Sequence, residues 1–240
     1  MRVLVVTAVP AERDAVTRAF GDGPRIREVP GAELHLAGPF DVLAGGAGPA
    51  AAAAATAFAL AAASAASTPY TAVVSAGIGG GFAPAAPVGS LVVATGIVAA
   101  DLGAETPDGF VPVTGLGFGR DSFLPPEALV RDVAEATGAL PGTVLTVSTV
   151  TGSAARTAEL LAAHPGAVAE AMEGFGVAEA AARFGVPALE LRAVSNAVGP
   201  RDRAAWRIGD ALAALTEAFG KTAPVVESWT RHDRIDRHRD

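Results

Sequence analysis

Three polar residues each stand next to a short apolar run of this chain, and their types could do chemistry together. Glu12 follows the run of residues 2–8, Glu173 opens a helical pattern, and Asn196 follows the run of residues 187–195. Alone, each has an ordinary structural explanation, because first-turn carboxylates suit the helix dipole and asparagine favours turns. Together they could supply a general base, a second carboxylate and an amide that recognises a polar ligand.

Two glycine-rich segments accompany these residues. Residues 75–81 contain four glycines and place Gly77 and Ile78 after a predicted strand, where absent side chains would let a ligand approach the backbone. A flexible turn explains that segment equally well. Residues 45–48 lack the full spacing of a dinucleotide-binding fingerprint, because Ala51 occupies the position of its last glycine. We therefore interpret residues 45–48 as a tight turn between a strand and a helix.

The elements that must position these residues follow from the hydrophobic pattern. Short apolar runs that alternate with helical patterns predict an α/β fold, a single domain with a mixed central sheet flanked by helices, over residues 1–228. Strands are predicted at residues 2–8, 33–37, 40–45, 71–76, 89–99, 143–149 and 187–195. Helices are predicted at residues 10–20, 48–66, 125–137, 153–163, 173–184 and 204–220.

The predicted strands are apolar along nearly their whole length, which indicates a sheet covered on both faces. In such folds ligands bind at the carboxyl ends of strands. Four segments follow the ends of predicted strands, namely Glu12, residues 77–81, residues 150–152 and Asn196, so we expect them to converge on one edge and form one pocket. Residues 100–124 are predicted to be a long loop or irregular hairpin, of the kind that binds a ligand or contacts a second subunit.

Composition excludes several classes of function. Half of the 240 residues are hydrophobic, which is enough for a large core, and a net charge of −7 argues against a nucleic-acid partner. The absence of cysteine excludes disulfides and thiolate metal sites and favours a cytoplasmic location. Residues 50–66 are apolar but rich in alanine, which predicts a buried helix and not a membrane span. Residues 229–240 are predicted to be a charged, disordered tail, whose His232 and His238 need no metal.

The order of these motifs resembles the purine nucleoside phosphorylase and nucleosidase family, over residues 1–228. The resemblance rests on Ala171-Met172-Glu173-Gly174 at a helix start and on Arg192-Ala193-Val194-Ser195-Asn196 at a strand end. It implies a nucleoside phosphorylase-like fold and cleavage of the C–N bond between ribose and a purine, with no cofactor and no metal. The transition state of that reaction resembles an oxocarbenium ion, which a carboxylate at the ribose hydroxyls would stabilise.

The resemblance also implies roles for single residues. Glu12 would position and deprotonate a water molecule, Glu173 would bind the ribose hydroxyls, and Asn196 would meet the purine. Further substrate-binding residues would surround these three, namely Gly77, Ile78, Thr149, Val150, Met172, Ser195 and Trp206.

Two departures from the family pattern bear on the base and the sugar. Asn196 stands where adenine-releasing nucleosidases have an aspartate. An amide can donate to O6 of a 6-oxopurine and accept from its protonated N7, so hypoxanthine or guanine is favoured over adenine. Ala171 replaces an acidic residue found in some relatives, which leaves part of the sugar contact open. Residues 45–49 and 75–82 contain no arginine or lysine, which favours water over phosphate as the second substrate.

Further short motifs narrow the resemblance to the futalosine hydrolases. They are Asp101-Leu102-Gly103-Ala104-Glu105, Thr149-Val150-Thr151-Gly152 and the segment from Ser195 to Asp202. That family releases hypoxanthine from futalosine on a route to menaquinone. The resemblance also implies a homodimer or a larger homo-oligomer, in which loop 100–124 of a neighbour completes the pocket.

Futalosine has a benzoate group on its ribose side, which should face a cation. Arg201 and Arg203 are candidates, and ordinary surface arginines are the alternative explanation. Two other functions stay open at this point. One is a nucleosidase for methylthioadenosine-like substrates, against which Asn196 argues, and the other is a non-catalytic nucleoside-binding domain on the same fold.

Overall fold

The computed structural model describes residues 2–21, 23–29 and 32–236, with side chains as far as residue 229. Its strands are β1 (Val3–Thr7), β2 (Arg25–Val29), β3 (Ala32–Ala37), β4 (Phe40–Ala44), β5 (Val73–Gly81), β6 (Leu91–Ala99), β7 (Gly103–Thr106), β8 (Gly109–Pro112), β9 (Ser122–Phe123), β10 (Leu140–Thr146), β11 (Ala167–Ala171) and β12 (Ala188–Ala197). Its α-helices are α1 (Pro10–Thr17), α2 (Pro49–Ala65), α3 (Glu127–Thr137), α4 (Ala154–Ala163), α5 (Gly174–Arg183) and α6 (Ile208–Asp236).

One large mixed sheet organises the molecule. Its strand order is β2, β3, β4, β1, β5, β12, β6, β10 and β11, and the short β9 pairs with β6. Strand β11 also pairs with β5 in antiparallel orientation, so β5, β12, β6, β10 and β11 form a closed ring of paired strands. Strands β7 and β8 form a separate hairpin.

Helices bury both faces of this sheet, as the apolar strands predicted. On one face α1, α3 and α6 pack against β1, β5 and β12, with Phe219 of α6 stacked edge-on against Phe40 of β4. On the other face α2 and α5 pack together, and Leu60 and Val177 meet the buried side chains of β1. The first turn of α1 and the start of α5 are thereby fixed on opposite faces of the same strands, and these two places hold Glu12 and Glu173.

The predicted fold class, a single α/β domain with a mixed sheet between helices, is confirmed. The predicted strand over residues 71–76 is too short, because β5 continues to Gly81. The glycine cluster therefore lies inside a strand and not in a flexible turn. Glycine is required there by close packing: a Cβ on Gly79 would lie 2.8 Å from the carbonyl oxygen of Glu170, and one on Gly81 would lie 2.0 Å from that of Ala86.

Other boundaries also differ from the prediction. Strand β10 covers residues 140–146 and not 143–149, so residues 147–149 belong to the loop that follows it. Strands β2 and β11 were not predicted, and residues 100–124 contain the β7–β8 hairpin and β9 within otherwise irregular chain.

The C-terminal helix is longer than predicted. α6 begins at Ile208 and continues to Asp236, so the backbone of residues 229–236, predicted as part of the tail, is helical. Residues 237–240, including His238, lie outside the described residues. Within the described chain, no helix combines the length and the apolar character needed to cross a membrane.

Candidate active site

The Glu12 carboxylate is buried and held by three backbone N–H groups. Its Oε2 accepts from Ala8 at 3.0 Å and Val9 at 3.2 Å, and its Oε1 accepts from Ile78 at 2.9 Å. The side chain therefore points from the first turn of α1 towards the middle of β5. Burial raises the pKa of Glu12 above its ordinary value of 4.5, although the Ile78 N–H and the charge of Arg192 oppose this rise. A carboxylate with a raised pKa is a stronger base when ionised.

The Glu173 carboxylate is also buried, and it sits at the N-cap of α5. Its Oε1 accepts the N–H of Gly48 at 3.1 Å, and its Oε2 accepts from Nη1 of Arg192 at 3.1 Å and from the N–H of Met172 at 3.4 Å. The turn before α2, which lacks the dinucleotide spacing, thus orients this carboxylate through Gly48. Met172 is half-buried beside it.

Arg192 lies beside both Glu12 and Glu173, and no sequence motif predicted a role for it. It is fully buried on β12, where Nε donates to Glu190 at 2.9 Å, Nη1 to Glu173 at 3.1 Å and Nη2 to Ser75 at 2.8 Å. Its charge also acts on Glu12. The available signal was an arginine and a glutamate two residues apart in an apolar strand, because residues at that spacing share one face.

Gly77 lies between Glu12 and Arg192. A Cβ at Gly77 would be 2.6 Å from Oε1 of Glu12 and 2.9 Å from Nη1 of Arg192. The carboxylate and the guanidinium therefore lie close to the same point, separated by a residue without a side chain. Glycine at this position lets two charged groups from different elements share one polar site.

Glu190 is a third carboxylate close to Arg192, so carboxylates outnumber the arginine in this part of the core. Glu190 is fully buried, and its Oε2 has no hydrogen-bond partner in the described part of the chain. Burial raises the pKa of Glu190, and the neighbouring Arg192 only partly opposes this rise. Gly174 makes room for this carboxylate, since a Cβ there would lie 2.1 Å from Oε2. Glu190 acts on the site through the orientation of Arg192.

Asn196 lies further along the same pair of strands. It pairs with Gly80 of β5, and its Nδ2 would be 3.3 Å from a Cβ at that glycine. Its Oδ1 accepts from Ser195 Oγ at 2.9 Å, and its Nδ2 donates to the carbonyl of Ala197 at 3.0 Å. The Ser195 hydroxyl is also 3.3 Å from the carbonyl oxygen of Gly79. One acceptor lone pair and one N–H of the Asn196 amide stay available for a ligand.

The loop after β10 is held at both ends by carboxylates. Asp101 accepts the N–H of Ser148 at 2.6 Å, and Glu170 of β11 accepts the N–H of Thr151 at 2.8 Å together with its hydroxyl. Burial raises the pKa of Glu170, while the bonds from Thr151 lower it. Thr149 and Val150 lie exposed between these two anchors. Because Glu170 pairs with Gly80, as Asn196 does from the other side, the Thr151 end of this loop is anchored near the asparagine.

Trp206 follows the strand end through a short 3-10 turn at residues 203–205. The N–H of Arg207 donates to the carbonyl of Ser195 at 2.8 Å, which brings this segment back to β12. The Trp206 ring is half-buried and lies under two guanidinium groups, those of Arg201 at 5.2 Å and Arg203 at 5.7 Å from the ring centre.

The structure thus brings Glu12, Gly77, Ile78, Met172 and Glu173 together around Arg192. It places Asn196, Ser195 and the loop with Thr149 and Val150 around Gly80, three residues further along β5. We expected the segments to meet where the carboxyl ends of the strands share one edge, but β10 and β11 run antiparallel to the β5–β12 pair, so their carboxyl ends point the other way. The segments converge because the ring of strands closes on the glycines of β5. Among the residues whose side chains are described, no cluster of three or more acidic or histidine side chains could hold a metal ion.

This fold and this pair of buried carboxylates define a class. The chain belongs to the phosphorylase superfamily, whose family model matches residues 2–228. Within that superfamily it belongs to the futalosine hydrolases. It is 70% identical over 236 residues to the futalosine hydrolase of Streptomyces coelicolor, a match that covers 98% of this chain and 100% of that protein.

Solved structures share the fold. A 5'-methylthioadenosine/S-adenosylhomocysteine nucleosidase from Colwellia psychrerythraea in complex with adenine superposes with a TM-score of 0.79 at 21% identity, covering 94% of this chain and 95% of that one. A mutant futalosine hydrolase of Helicobacter pylori superposes with a TM-score of 0.76 at 21% identity, covering 93% and 98%. The family resemblance inferred from the sequence motifs is confirmed.

The position of Gly77 leads to a prediction about stability. Gly77→Ala should lower the free energy of unfolding by about 1–3 kcal/mol, because the new methyl group overlaps two buried charged groups. Thermal and urea denaturation measure this change. Gly209→Ala is the matched control, since a Cβ at Gly209 meets nothing within 4 Å and alanine favours the helix. Equal stability of the two variants would contradict the packing argument.

The excess acid at Glu190 leads to a prediction about pH. The pKa of Glu190 is raised in the folded state, so its ionised form weakens the fold above the ordinary value of 4.5, and protonation removes this penalty. Glu190→Gln keeps an acceptor for Arg192 and is neutral at every pH. Its melting temperature should exceed that of the parent at neutral pH, and the difference should shrink towards pH 4.5. Glu179→Gln, on the surface of α5, is the control, and a pH-independent difference would refute the argument.

Proposed function

We propose that this protein hydrolyses the N-glycosidic bond of futalosine to hypoxanthine and dehypoxanthine futalosine. The observation that supports this most directly is the meeting of two buried carboxylates, Glu12 and Glu173, around Arg192. Membership of the futalosine hydrolase family, with 70% identity over nearly the whole chain, supports the choice of substrate.

In the proposed reaction, Glu12 is the general base. It accepts a proton from a water molecule as the water oxygen bonds to C1′ of the ribose. The C1′–N9 bond breaks, its electron pair goes to the purine, and a proton from solvent completes the released hypoxanthine. The raised pKa of Glu12 suits this role, because the ionised carboxylate then binds a proton more strongly.

Glu173 is the proposed ligand of the ribose hydroxyls. Its orientation is fixed by Gly48, Met172 and Arg192, so little reorganisation is needed as positive charge develops on the sugar. Both carboxylates lie beside Nη1 of Arg192, so both can act on the same small region. Gly77 and Ile78 would lie along the ribose, and Met172 would pack against it.

The purine would lie at the other end of the site, between Asn196 and the loop with Thr149 and Val150. The free N–H of the Asn196 amide can donate to O6 of hypoxanthine, and its free lone pair can accept from a protonated N7. The hydroxyl of Ser195 orients that amide. Trp206, which follows the same strand end, would close the base pocket.

Water is the proposed second substrate, even though the superfamily is named for phosphorylases. Arg192 is the cation beside the glycines of β5, and each of its three nitrogens already donates to Glu173, Glu190 or Ser75. Its charge is thus offset within the site. Together with Glu12, this leaves a negative region that repels phosphate.

A substrate panel tests the proposal. Purified protein is incubated with futalosine, inosine and methylthioadenosine, each with and without phosphate, and the released base is measured by chromatography. We expect hypoxanthine from futalosine at a rate that phosphate does not change. Phosphate-dependent turnover, or release of adenine alone, would contradict the proposal and favour a phosphorylase or a methylthioadenosine nucleosidase. Saturable binding without product would indicate a non-catalytic binding domain.

The variant Glu12→Gln tests the proposed base. It should lose about two to four orders of magnitude in kcat while still binding futalosine, because the amide cannot accept the proton from water. In the parent enzyme kcat/KM should fall as the solution becomes more acidic, and the fall should begin above the ordinary glutamate pKa of 4.5. Retention of activity or of this acidic limb in the variant would remove Glu12 from the mechanism.

We also propose that the protein acts as a homodimer or larger homo-oligomer in the cytoplasm, on the route to menaquinone. Its complete lack of cysteine is compatible with a reducing compartment. Helix α2 presents Phe58, which is 65% exposed, and loop 100–124 presents Leu102 and Phe118, which are 43% and 64% exposed. Leu102 also lines an apolar cavity of about 290 Å³ between α2 and α5. Exposed apolar side chains of this size fit association with a second copy.

The oligomer has its own test. Phe58→Asp should reduce the mass measured by sedimentation or light scattering towards that of one chain, because a charge would replace an apolar contact. Ile26→Asp, which alters an exposed residue of the edge strand β2, is the control and should keep the parent mass. A parent protein that is already monomeric, or a Phe58 variant with unchanged mass, would refute association through α2.

A further inference from the structure

Glu170 is a buried carboxylate on a strand that is otherwise apolar. The other residues of β11 are alanines and one valine, and Glu170 is only 4% exposed. Taking a charged group out of water is unfavourable unless hydrogen bonds replace the lost hydration. An apolar residue would suit this strand better, so the contacts of Glu170 must account for its presence.

Both oxygens of this carboxylate accept hydrogen bonds from one residue, Thr151. Oε1 accepts the Thr151 N–H at 2.8 Å, and Oε2 accepts the Thr151 hydroxyl. Hydrogen bonds to an ionised acceptor are stronger than neutral ones, and two of them fix the orientation of the residue that donates. Thr151 is buried as well, so water does not compete for these bonds. The side chain of Glu170 thus holds one end of a loop.

This loop leads from β10 to α4. Its start is fixed where the Ser148 N–H donates to Asp101 at 2.6 Å, and residues 148–150 are exposed. Without the bonds to the buried carboxylate, the next fixed point along the chain would be Ser153, which caps α4. Four residues, 149–152, would then lie between the two anchors, and the loop would have more conformations to choose from.

Strand pairing places the anchor near the purine side of the candidate site. Glu170 pairs with Gly80 of β5, and Asn196 pairs with the same glycine from β12. Paired residues have side chains on the same face of a sheet, so Glu170 and Asn196 flank Gly80 on one face. Val198 fills the space over the glycine, because a Cβ there would lie 2.8 Å from its Cγ2. Glu170 can therefore act on a purine beside Asn196 through the loop and not by direct contact.

We propose that Glu170 is a positioning residue for purine binding, which fixes Thr151 and thereby holds residues 149 and 150 in the conformation that contacts the base. This inference rests on the proposed function, in which the purine lies between Asn196 and this loop. An ordered loop binds its ligand without the loss of conformational entropy that ordering would require. Loss of the anchor weakens binding of substrate and transition state alike, so it raises KM more than it lowers kcat.

The variant Glu170→Ala tests the inference with hypoxanthine as the ligand. Calorimetry should give a dissociation constant for hypoxanthine about tenfold above that of the parent, and KM for futalosine should rise by about the same factor, with kcat changed by less than about threefold. Hydrogen exchange of residues 148–152, measured by mass spectrometry without ligand, should be faster than in the parent. Glu170→Gln keeps an acceptor for the Thr151 N–H and offers a donor to its hydroxyl oxygen, so it should recover most of the affinity.

Two further variants separate positioning from a general loss of stability. Thr151→Val keeps the backbone donor and removes only the hydroxyl, so its loss of hypoxanthine affinity should be measurable but smaller than that of Glu170→Ala. Asp41→Ala removes another buried carboxylate, which accepts from Arg27 and Tyr70. It should lower the melting temperature without changing hypoxanthine affinity, because β4 lies on the far side of β1 and β5 from the loop.

Unchanged hypoxanthine affinity in Glu170→Ala would overturn the inference, and so would an equal loss in Asp41→Ala or a loss that Glu170→Gln does not recover. If Glu170→Ala does not fold, Thr151→Val decides, and an affinity equal to that of the parent would refute the positioning role. Failure of the parent to release hypoxanthine from futalosine would refute the proposed function, while hypoxanthine binding would still decide the role of Glu170. A parent that does not bind hypoxanthine would overturn the inference.

Discussion

The buried guanidinium of Arg192 is the interaction on which the rest of the site depends. It contacts Glu173, Glu190 and Ser75 at once, and it lies beside Glu12 across Gly77. A charge with no access to solvent is tolerable only with such partners, and loss of one partner from a buried pair typically costs about 3–5 kcal/mol. The same contacts that make Arg192 compatible with the core also fix the orientation of the Glu173 carboxylate. Stability and the arrangement of the acids are therefore coupled at this residue.

The glycines of β5 are the second half of that arrangement. A strand with ordinary side chains would separate Glu12 from Arg192 and would push β11 away from β5. Glycine weakens a strand when it has no such role, because it loses more backbone entropy on folding. Pairing of β5 with β12 on one side and β11 on the other compensates for this weakness with hydrogen bonds. Strand β5 can therefore lack side chains at the point where Glu12 and Arg192 approach each other.

Much of the fold could be predicted from the sequence, and the elements that were missed have physical causes. Apolar runs located β1, β4, β6 and β12, and helical periodicity located all six helices, because burial imposes those patterns directly. β11 was missed because Ala167–Ala171 is mostly alanine, which has little strand preference. The extent of β5 was missed because glycine normally ends a strand, and only its neighbours in space justify four of them.

The candidate site also has a part that the sequence predicts and a part that it does not. Glu12, Glu173 and Asn196 could be named as candidates because they stand at the ends of elements that the hydrophobic pattern locates. The partners that orient them come from distant parts of the chain, so Arg192, Ser75 and Gly48 could not be assigned roles from local sequence. The two carboxylates that anchor the loop after β10, Asp101 and Glu170, were missed for the same reason. A motif indicates which residues could react, but the residues that hold them in place are set by tertiary packing.

The closed ring of strands has a consequence for how this protein acquires its structure. Gly80 pairs with Glu170 on one side and Asn196 on the other, and both partners lie far along the chain. Bringing such distant segments together costs loop-closure entropy before any of these contacts can form, which slows folding of such topologies. A nascent chain whose β12 segment has not yet left the ribosome cannot use Arg192 or Asn196. Ligand recognition should therefore arise only late, when synthesis of the chain is nearly complete.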